Sequence, residues 1–154
     1  MIDTSDNSKD IESRVGAVIQ VGDEILIGHA PNRKMGPNSW DLVGKGHRTS
    51  GSSPEEDVIR EVKEESNITV TERDLWRLGV AKYQTGTITF FLVNLPEKPK
   101  DIKCISTFTM YGKDWPEIKE FKWVKIEESL QYLYKGLGKA FEPFIELIKE
   151  LELE

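Results

Sequence analysis

One segment, residues 53–67, carries its own start and stop signals and constrains the rest of the chain more than any other. Ser53 is a natural N-cap, Pro54 takes the first helical position, and Glu56 stands three residues after Ser53, completing a capping box. Asn67 closes the segment, because asparagine adopts the left-handed cap conformation second only to glycine. The expected helix runs from Pro54 to about Ser66. At about 100° per residue, Val58, Ile59 and Val62 form an apolar face. Asp57, Glu61, Glu64 and Glu65 form an adjacent acidic stripe, while Glu56 and Lys63 point away. Such a helix needs a second layer to cover its apolar face.

The flanking sequence supplies strands. Val15–Ile19 and Glu24–Ile27 read as a hairpin, with Val21–Glu24 as its turn. Residues 29–46 are rich in Pro, Gly and Asn and read as loop, with a short strand at Trp40–Val43. Beyond the helix, strands are expected from Thr69 towards Val80, at Thr87–Val93 after a Thr85-Gly86 turn, at Ile102–Met110 and at Phe121–Ile126. Leu137, Phe141, Phe144, Ile145, Ile148 and Leu151 recur at helical spacing, which predicts a C-terminal helix packed on the sheet. Strands, helix, strands, helix is the order of an α+β domain, an α/β/α sandwich with a mixed sheet between helices. The polar residues 1–12 read as a loose tail, and residues 13–152 as one domain.

Composition narrows the function. With 21 basic and 27 acidic residues the net charge is −6 and the pI near 5.1, which argues against general nucleic-acid binding. The single cysteine, Cys104, excludes a disulfide framework and a cysteine-rich zinc site. No apolar run approaches the roughly 18 residues of a membrane span. The first ten residues lack the charged and apolar regions of a signal peptide, so a cytoplasmic protein is expected.

The acidic stripe breaks a local rule. Like charges at i, i+4 destabilise a helix, and both Asp57/Glu61 and Glu61/Glu65 are such pairs. A hard divalent cation would relieve the repulsion, since Mg²⁺ favours carboxylate oxygens. Arg60 reaches Glu64 at i+4 and can fix its rotamer. An E-x-x-E-E pattern alone is also common on solvated helix faces, and the upstream context decides.

That context resembles the Nudix family. Its box reads G-x5-E-x7-R-E-U-x-E-E-x-G-U, with U a bulky aliphatic residue. Here Gly46 is followed by five residues, Ser52, seven residues and Arg60-Glu-Val-Lys-Glu-Glu-Ser-Asn-Ile68, matching seven of nine specified positions. Trp40-Asp-Leu-Val-Gly-Lys-Gly-His47 resembles the W-x-x-P-x-G approach to the box, and Glu117–Glu128 resembles the E-x-x-E-x-x-W-V-x-x-E-E stretch before the last helix. The resemblance spans roughly residues 14–150. Val43 replaces the usual proline, Asn67 the glycine, and Ser52 the first glutamate. Asn67 can adopt the same cap. The loss at Ser52 removes a carboxylate from the rim of the site. A glutamate restored there is expected to be tolerated or slightly stabilising, because it would lie at the helix N-terminus.

The resemblance implies a hydrolase that cleaves a pyrophosphate bond in a nucleoside diphosphate linked to another moiety. It implies Mg²⁺ or Mn²⁺ held by Glu61, Glu64 and Glu65, with a backbone carbonyl from the Gly44–Gly46 loop. It assigns Arg60 to orienting Glu64, and a general base to Glu61 or Glu64. Glu117 is a further catalytic candidate outside the box, with Glu120 the alternative. Lys45, His47 and Arg33 are candidate substrate-binding residues, and Lys45-Gly-His47 resembles branches acting on dinucleoside polyphosphates or diphosphoinositols. Tyr83, Phe108, Tyr111 and Trp115 could stack a base. Trp40, Trp123 and Cys104 are expected in the core, and His29 at a strand end. The expected partner is a nucleotide-type small molecule, with no membrane and no general nucleic-acid binding. Assembly is open, a homodimer included. Two alternatives stand beside this reading: a degenerate domain that binds a nucleotide without turnover, and a pyrophosphohydrolase of RNA 5′ ends.

Overall fold

The structure, a computed structural model, describes residues 13–152. The expected N-terminal tail lies outside the described residues. The main sheet holds seven strands: β1 (Arg14–Val21), β2 (Glu24–His29), β3 (Asp41–Leu42), β4 (Gly46–His47), β5 (Leu75–Tyr83), β6 (Gly86–Asn94) and β9 (Glu120–Lys125). Strands β7 (Thr107–Met110) and β8 (Lys113–Pro116) form a separate hairpin. The helices are α1 (Pro54–Ser66), α2 (Lys135–Phe141) and α3 (Ile145–Glu152).

The sheet is mixed. β1 runs parallel to β6, and the remaining pairs are antiparallel. β1 and β2 pair only beside their turn, at Gln20/Ile25 and Val21/Glu24, and then separate. β3 pairs with β2 and β4 pairs with β1, so residues 43–45 bridge the wedge between the diverging strands. That wedge aims the Gly44–Gly46 loop at α1.

Alternation along β1 divides the core between two faces. Val15, Ala17 and Ile19 pack with Val58 and Val62 of α1, all fully buried, together with Leu26, Phe91 and Val93. Val18 faces the other way and joins Ile25, Phe90, Leu137, Phe141, Ile145 and Ile148 beneath α2 and α3. The sandwich expected from sequence is therefore observed, and α1 packs through Val58 and Val62.

Four local expectations are corrected. The strand anticipated from Thr69 begins only at Leu75, because residues 72–74 form a 3₁₀ turn in which the Asp74 carboxylate accepts the Thr71 N–H at 2.7 Å. The strand anticipated over Ile102–Met110 is regular only from Thr107. Its first half lies against the end of α1, where Lys103 N–H donates to the Ser66 carbonyl and the Ile105 and Ser106 N–H groups to that of Glu64. Orphan carbonyls at a helix C-terminus need such donors, and satisfying them overrides strand pairing. Cys104 consequently sits in this irregular segment, half-buried, its Sγ accepting the Ile118 N–H. The C-terminal helix is broken into α2 and α3 by a 3₁₀ turn, Glu142–Phe144, because Pro143 has no N–H to continue the ladder. The buried register survives the break.

Candidate active site

The helix caps fix where the acidic stripe lies. Ser53 Oγ accepts the Glu56 N–H at 3.1 Å and Glu56 Oε1 accepts the Ser53 N–H at 2.8 Å, completing the capping box. Asn67 ends α1 at φ 68°, in the left-handed cap conformation. The stripe then faces the β1–β2 wedge. A cavity of about 430 Å³ opens there, lined by Glu61, Glu64, Glu65 and Glu117 together with Arg14, Lys45, His47, Arg48, Thr49 and Arg60.

Two glycines in the wedge are required by close approach. Gly44 has φ 93°, and a Cβ there would strike Val62 and Ala17. A Cβ on Gly46 would occupy the space taken by the Glu61 carboxylate. The box glycine thus makes room for a box carboxylate. Val62, two positions before Glu64, does the same packing work against Gly44 that keeps α1 close to the loop.

The four glutamates differ in environment. Glu65 is almost fully buried, and its Oε1 accepts the Gly44 N–H at 2.8 Å. Burial pushes its carboxyl well above the usual 4.5, with the charges of Asp41, Glu61 and Glu117 adding to the effect. Glu61 is also raised, chiefly by burial, and the Glu64 and Glu117 charges oppose the relief that Arg60 gives. Glu117 therefore faces the stripe from across the cavity. Glu120, paired opposite His29 in β9, does not line it. Arg60 Nη1 donates to Glu61 Oε2 at 2.9 Å and reaches Glu64 Oε1 at 3.4 Å, so it serves both glutamates rather than Glu64 alone.

These groups fit a divalent cation by chemistry: hard oxygen donors, mutually repelling, partly desolvated. Among the described residues no three acidic, His or Cys side chains already stand together as a coordination shell. Arg60 pairs with Glu61. The Gly44 carbonyl accepts the Ala17 N–H at 3.2 Å, and Gly46 is paired with Val15 in the β1–β4 ladder.

The candidate phosphate ligands divide. Lys45 lies in the cavity, 3.5 Å from Asp41. Burial would lower its pKa, but Asp41, Tyr83 and Glu65 outweigh that and raise it, keeping the ammonium charged. His47 is held below the usual 6.5 by burial and by Arg14 and Lys45, so it is neutral near pH 7. Arg33 is not in this cavity. It lines an adjoining one of about 480 Å³ with Asp41, Lys45, Tyr83, Gln84 and Tyr134, and its guanidinium stands 5.6 Å from the Tyr134 ring centre. Tyr83 belongs to that second cavity. Phe108, Tyr111 and Trp115 lie on the β7–β8 hairpin and line neither. Trp40 is buried in the core against His29, as expected, and Trp123 is half-buried. Sequence reasoning missed Arg14, Arg48, Thr49 and Tyr134; the closeness of Arg48 and Thr49 to the box glycine was the available signal.

Asp57 is not a free member of the stripe. It is 1% exposed, and both its oxygens are engaged. Oδ2 accepts from Arg48 Nε at 2.8 Å and from the Thr49 N–H at 3.1 Å. Oδ1 stands 2.7 Å from Ser52 Oγ and 3.5 Å from Arg60 Nη2. Burial alone would raise its pKa, but the Ser52, Thr49, Arg48 and Arg60 donors outweigh it and hold the carboxylate below the usual 3.8. The glutamate considered at position 52 would stand beside this buried carboxylate, since Ser52 Oγ is in contact with Asp57.

Comparison with known proteins agrees with this fold. The NUDIX domain family profile matches residues 11–146. No curated protein matches the chain. The fold resembles a Caenorhabditis elegans Ap4A hydrolase solved as a binary complex, at TM-score 0.63 and 22% identity over 90% of this chain and 98% of that one. It resembles a MutT protein from Methanosarcina mazei Go1 at TM-score 0.62 and 24% identity, covering 89% and 94% of the two chains. It also resembles a bifunctional NMN adenylyltransferase/ADP-ribose pyrophosphatase from Francisella tularensis, complexed with AMP and a Mn ion, at TM-score 0.57 and 20% identity. That match covers 91% of this chain and 41% of the larger enzyme. The profile match covers most of the chain and shows that the chain belongs to the Nudix family of phosphoanhydride hydrolases.

Proposed function

We propose that the protein hydrolyses a pyrophosphate bond in a nucleoside diphosphate linked to a further moiety, with Mg²⁺ or Mn²⁺ as cofactor. The observation that carries this is the convergence of Glu61, Glu64, Glu65 and Glu117 on one cavity that also holds Lys45, Arg48 and Arg14. Acidic and basic groups lining one cavity suit a polyphosphate bridged to carboxylates by cations. A bound divalent cation would polarise phosphorus and acidify a coordinated water. Glu61, Glu64 and Glu65 would hold it. Glu61 or Glu64 would accept a proton from the attacking water, and Glu117, which lines the same cavity, is a second candidate. Lys45 offers a fixed charge to a phosphate oxygen, and neutral His47 offers a hydrogen bond.

The adjoining cavity suits the organic part of the substrate. Tyr134 is half-buried there with Arg33 over its ring, while Tyr83 is buried beneath Lys45. A nucleoside placed there would leave its phosphates beside Lys45, the residue common to both cavities. This arrangement suits substrates with a nucleoside at the end of a phosphate chain, dinucleoside polyphosphates among them. The test is product release from a panel of nucleoside diphosphate sugars, dinucleoside polyphosphates, nucleoside triphosphates and 5′-triphosphorylated RNA, with Mg²⁺, with Mn²⁺ and with chelator. Metal-dependent cleavage of a nucleotide is expected. Binding without cleavage under every metal condition would identify the degenerate reading instead.

A further inference from the structure

The box of this chain lacks a carboxylate at position 52 and has an unexpectedly buried one at position 57. The two are in contact. Ser52 Oγ stands 2.7 Å from Asp57 Oδ1 and also 2.7 Å from the Thr49 carbonyl. Its single proton goes to the charged acceptor, which forms the stronger bond. Arg48 spans the same two residues, with Nε on Asp57 and Nη2 on the Ser52 carbonyl, each at 2.8 Å. Asp57 therefore ties the loop of residues 48–52 to the first turns of α1.

Two routes lead from this node to the candidate metal ligands. Arg60 Nη2 contacts Asp57 directly at 3.5 Å. The same Nη2 donates to Thr49 Oγ1 at 3.2 Å, and Thr49 is held by Asp57 through its N–H. The other nitrogen, Nη1, contacts Glu61 and Glu64. One guanidinium thus has its rear nitrogen fixed by the Asp57 node and its front nitrogen on the stripe.

We propose that positions 52 and 57 form one anion slot with room for a single carboxylate, that Asp57 fills it in place of the glutamate absent from position 52, and that the filled slot positions Arg60 over Glu61 and Glu64. The inference rests on the active-site reading above. Asp57 is on this account a positioning residue, acting through Arg60 and Thr49. The charge that fills the slot stands five positions after Ser52, and Ser52 is its neutral donor.

The experiment compares wild type, Ser52→Glu, Asp57→Ser and the double variant Ser52→Glu/Asp57→Ser. Mn²⁺ binding is read by calorimetry, and the thermal midpoint is read in chelator. Ser52→Glu puts two charges in the slot and Asp57→Ser leaves none. Each single change is expected to weaken Mn²⁺ binding by roughly 10–100-fold, as loss of a partner behind a metal ligand does. The double variant restores one charge and is expected to recover most of the affinity and of the thermal midpoint. Additive losses in the double variant would overturn the proposal. So would a Ser52→Glu protein that binds Mn²⁺ as tightly as wild type. If Asp57→Ser does not fold, Asp57→Asn keeps the shape and removes the charge. A lowered midpoint with unchanged Mn²⁺ affinity in that variant would show a purely structural residue and also overturn the proposal. Calorimetry needs no substrate, so failure of hydrolysis on every nucleotide would remove the functional reading and leave the coupling between positions 52 and 57 standing.

Discussion

At the scale of single residues, the site is governed by what each carboxylate touches. Arg60 divides its nitrogens between Glu61, Glu64, Thr49 and Asp57. Lysine would keep the charge and lose the fork. Arg60→Lys should raise the half-activating Mg²⁺ concentration roughly tenfold without unfolding the protein, measured by Mg²⁺ titration of hydrolysis and by circular dichroism; superimposable titrations would show that the fork is not needed. Glu65 supplies a pH prediction. Its folded-state pKa lies above the ordinary 4.5, so the folded protein binds that proton more tightly than the unfolded chain does. Stability from this group is present at low pH and is lost as pH rises through the raised value. In chelator, the thermal midpoint should fall as the pH rises above the ordinary 4.5 through the raised value of Glu65, and Glu65→Gln should flatten that fall. An unchanged slope in Glu65→Gln would mean that its carboxyl does not titrate in that window.

At the scale of elements, α1 is held by its ends as well as by its face. Both capping-box bonds are formed. Ser53→Ala should cost about 1 kcal/mol, read from the urea midpoint at unchanged m-value. These signals are local, and they were legible in sequence for that reason: a cap needs only the residues within four positions of it. The same locality failed over residues 102–106. Their alternation suits a strand, but the end of α1 takes three of their N–H groups. Which demand wins depends on which element lies nearby, and spacing along the chain does not contain that. The β7–β8 hairpin was missed likewise, since Lys113–Pro116 is polar and ends in proline; it pairs because Tyr111 and Gly112 both take positive φ at its turn.

At the scale of the whole molecule, the two faces of the sheet carry separate work. The face under α2 and α3 is a packed core, where Phe141 is fully buried and lies 5.7 Å from Phe90, ring centre to ring centre. The opposite face carries α1 and the carboxylates. Phe141→Ala should cost about 3–5 kcal/mol of stability, while the folded fraction keeps its Mg²⁺ dependence; a shifted half-activating concentration would show coupling across the sheet. A divalent cation that binds only the folded state should stabilise it by about 2.7 kcal/mol at a hundred times its dissociation constant. Addition of Mg²⁺ should therefore raise the thermal midpoint of wild type and have much less effect on Glu65→Gln. Equal shifts in the two proteins would place the cation elsewhere. Among the described residues no helix is long and apolar enough to cross a membrane.

The sequence by itself determined the caps of α1, the two faces of that helix, the order of strands and helices, and the spacing from Gly46 to Glu65. Each depends on residues a few positions apart or on a pattern written along one element. Only the tertiary structure decided what those residues do for one another. It put the Glu61 carboxylate over Gly46, which explains the glycine. It brought Glu117 across the cavity from α1, and set Tyr134 and Arg33 beside Tyr83 from distant parts of the chain. It separated Asp57 from the stripe it shares by periodicity, because the loop of residues 48–52 folds back and occupies both its oxygens. A periodic pattern says which side of a helix a charge is on; the number of donors that meet it there is settled when the neighbouring loop takes its place.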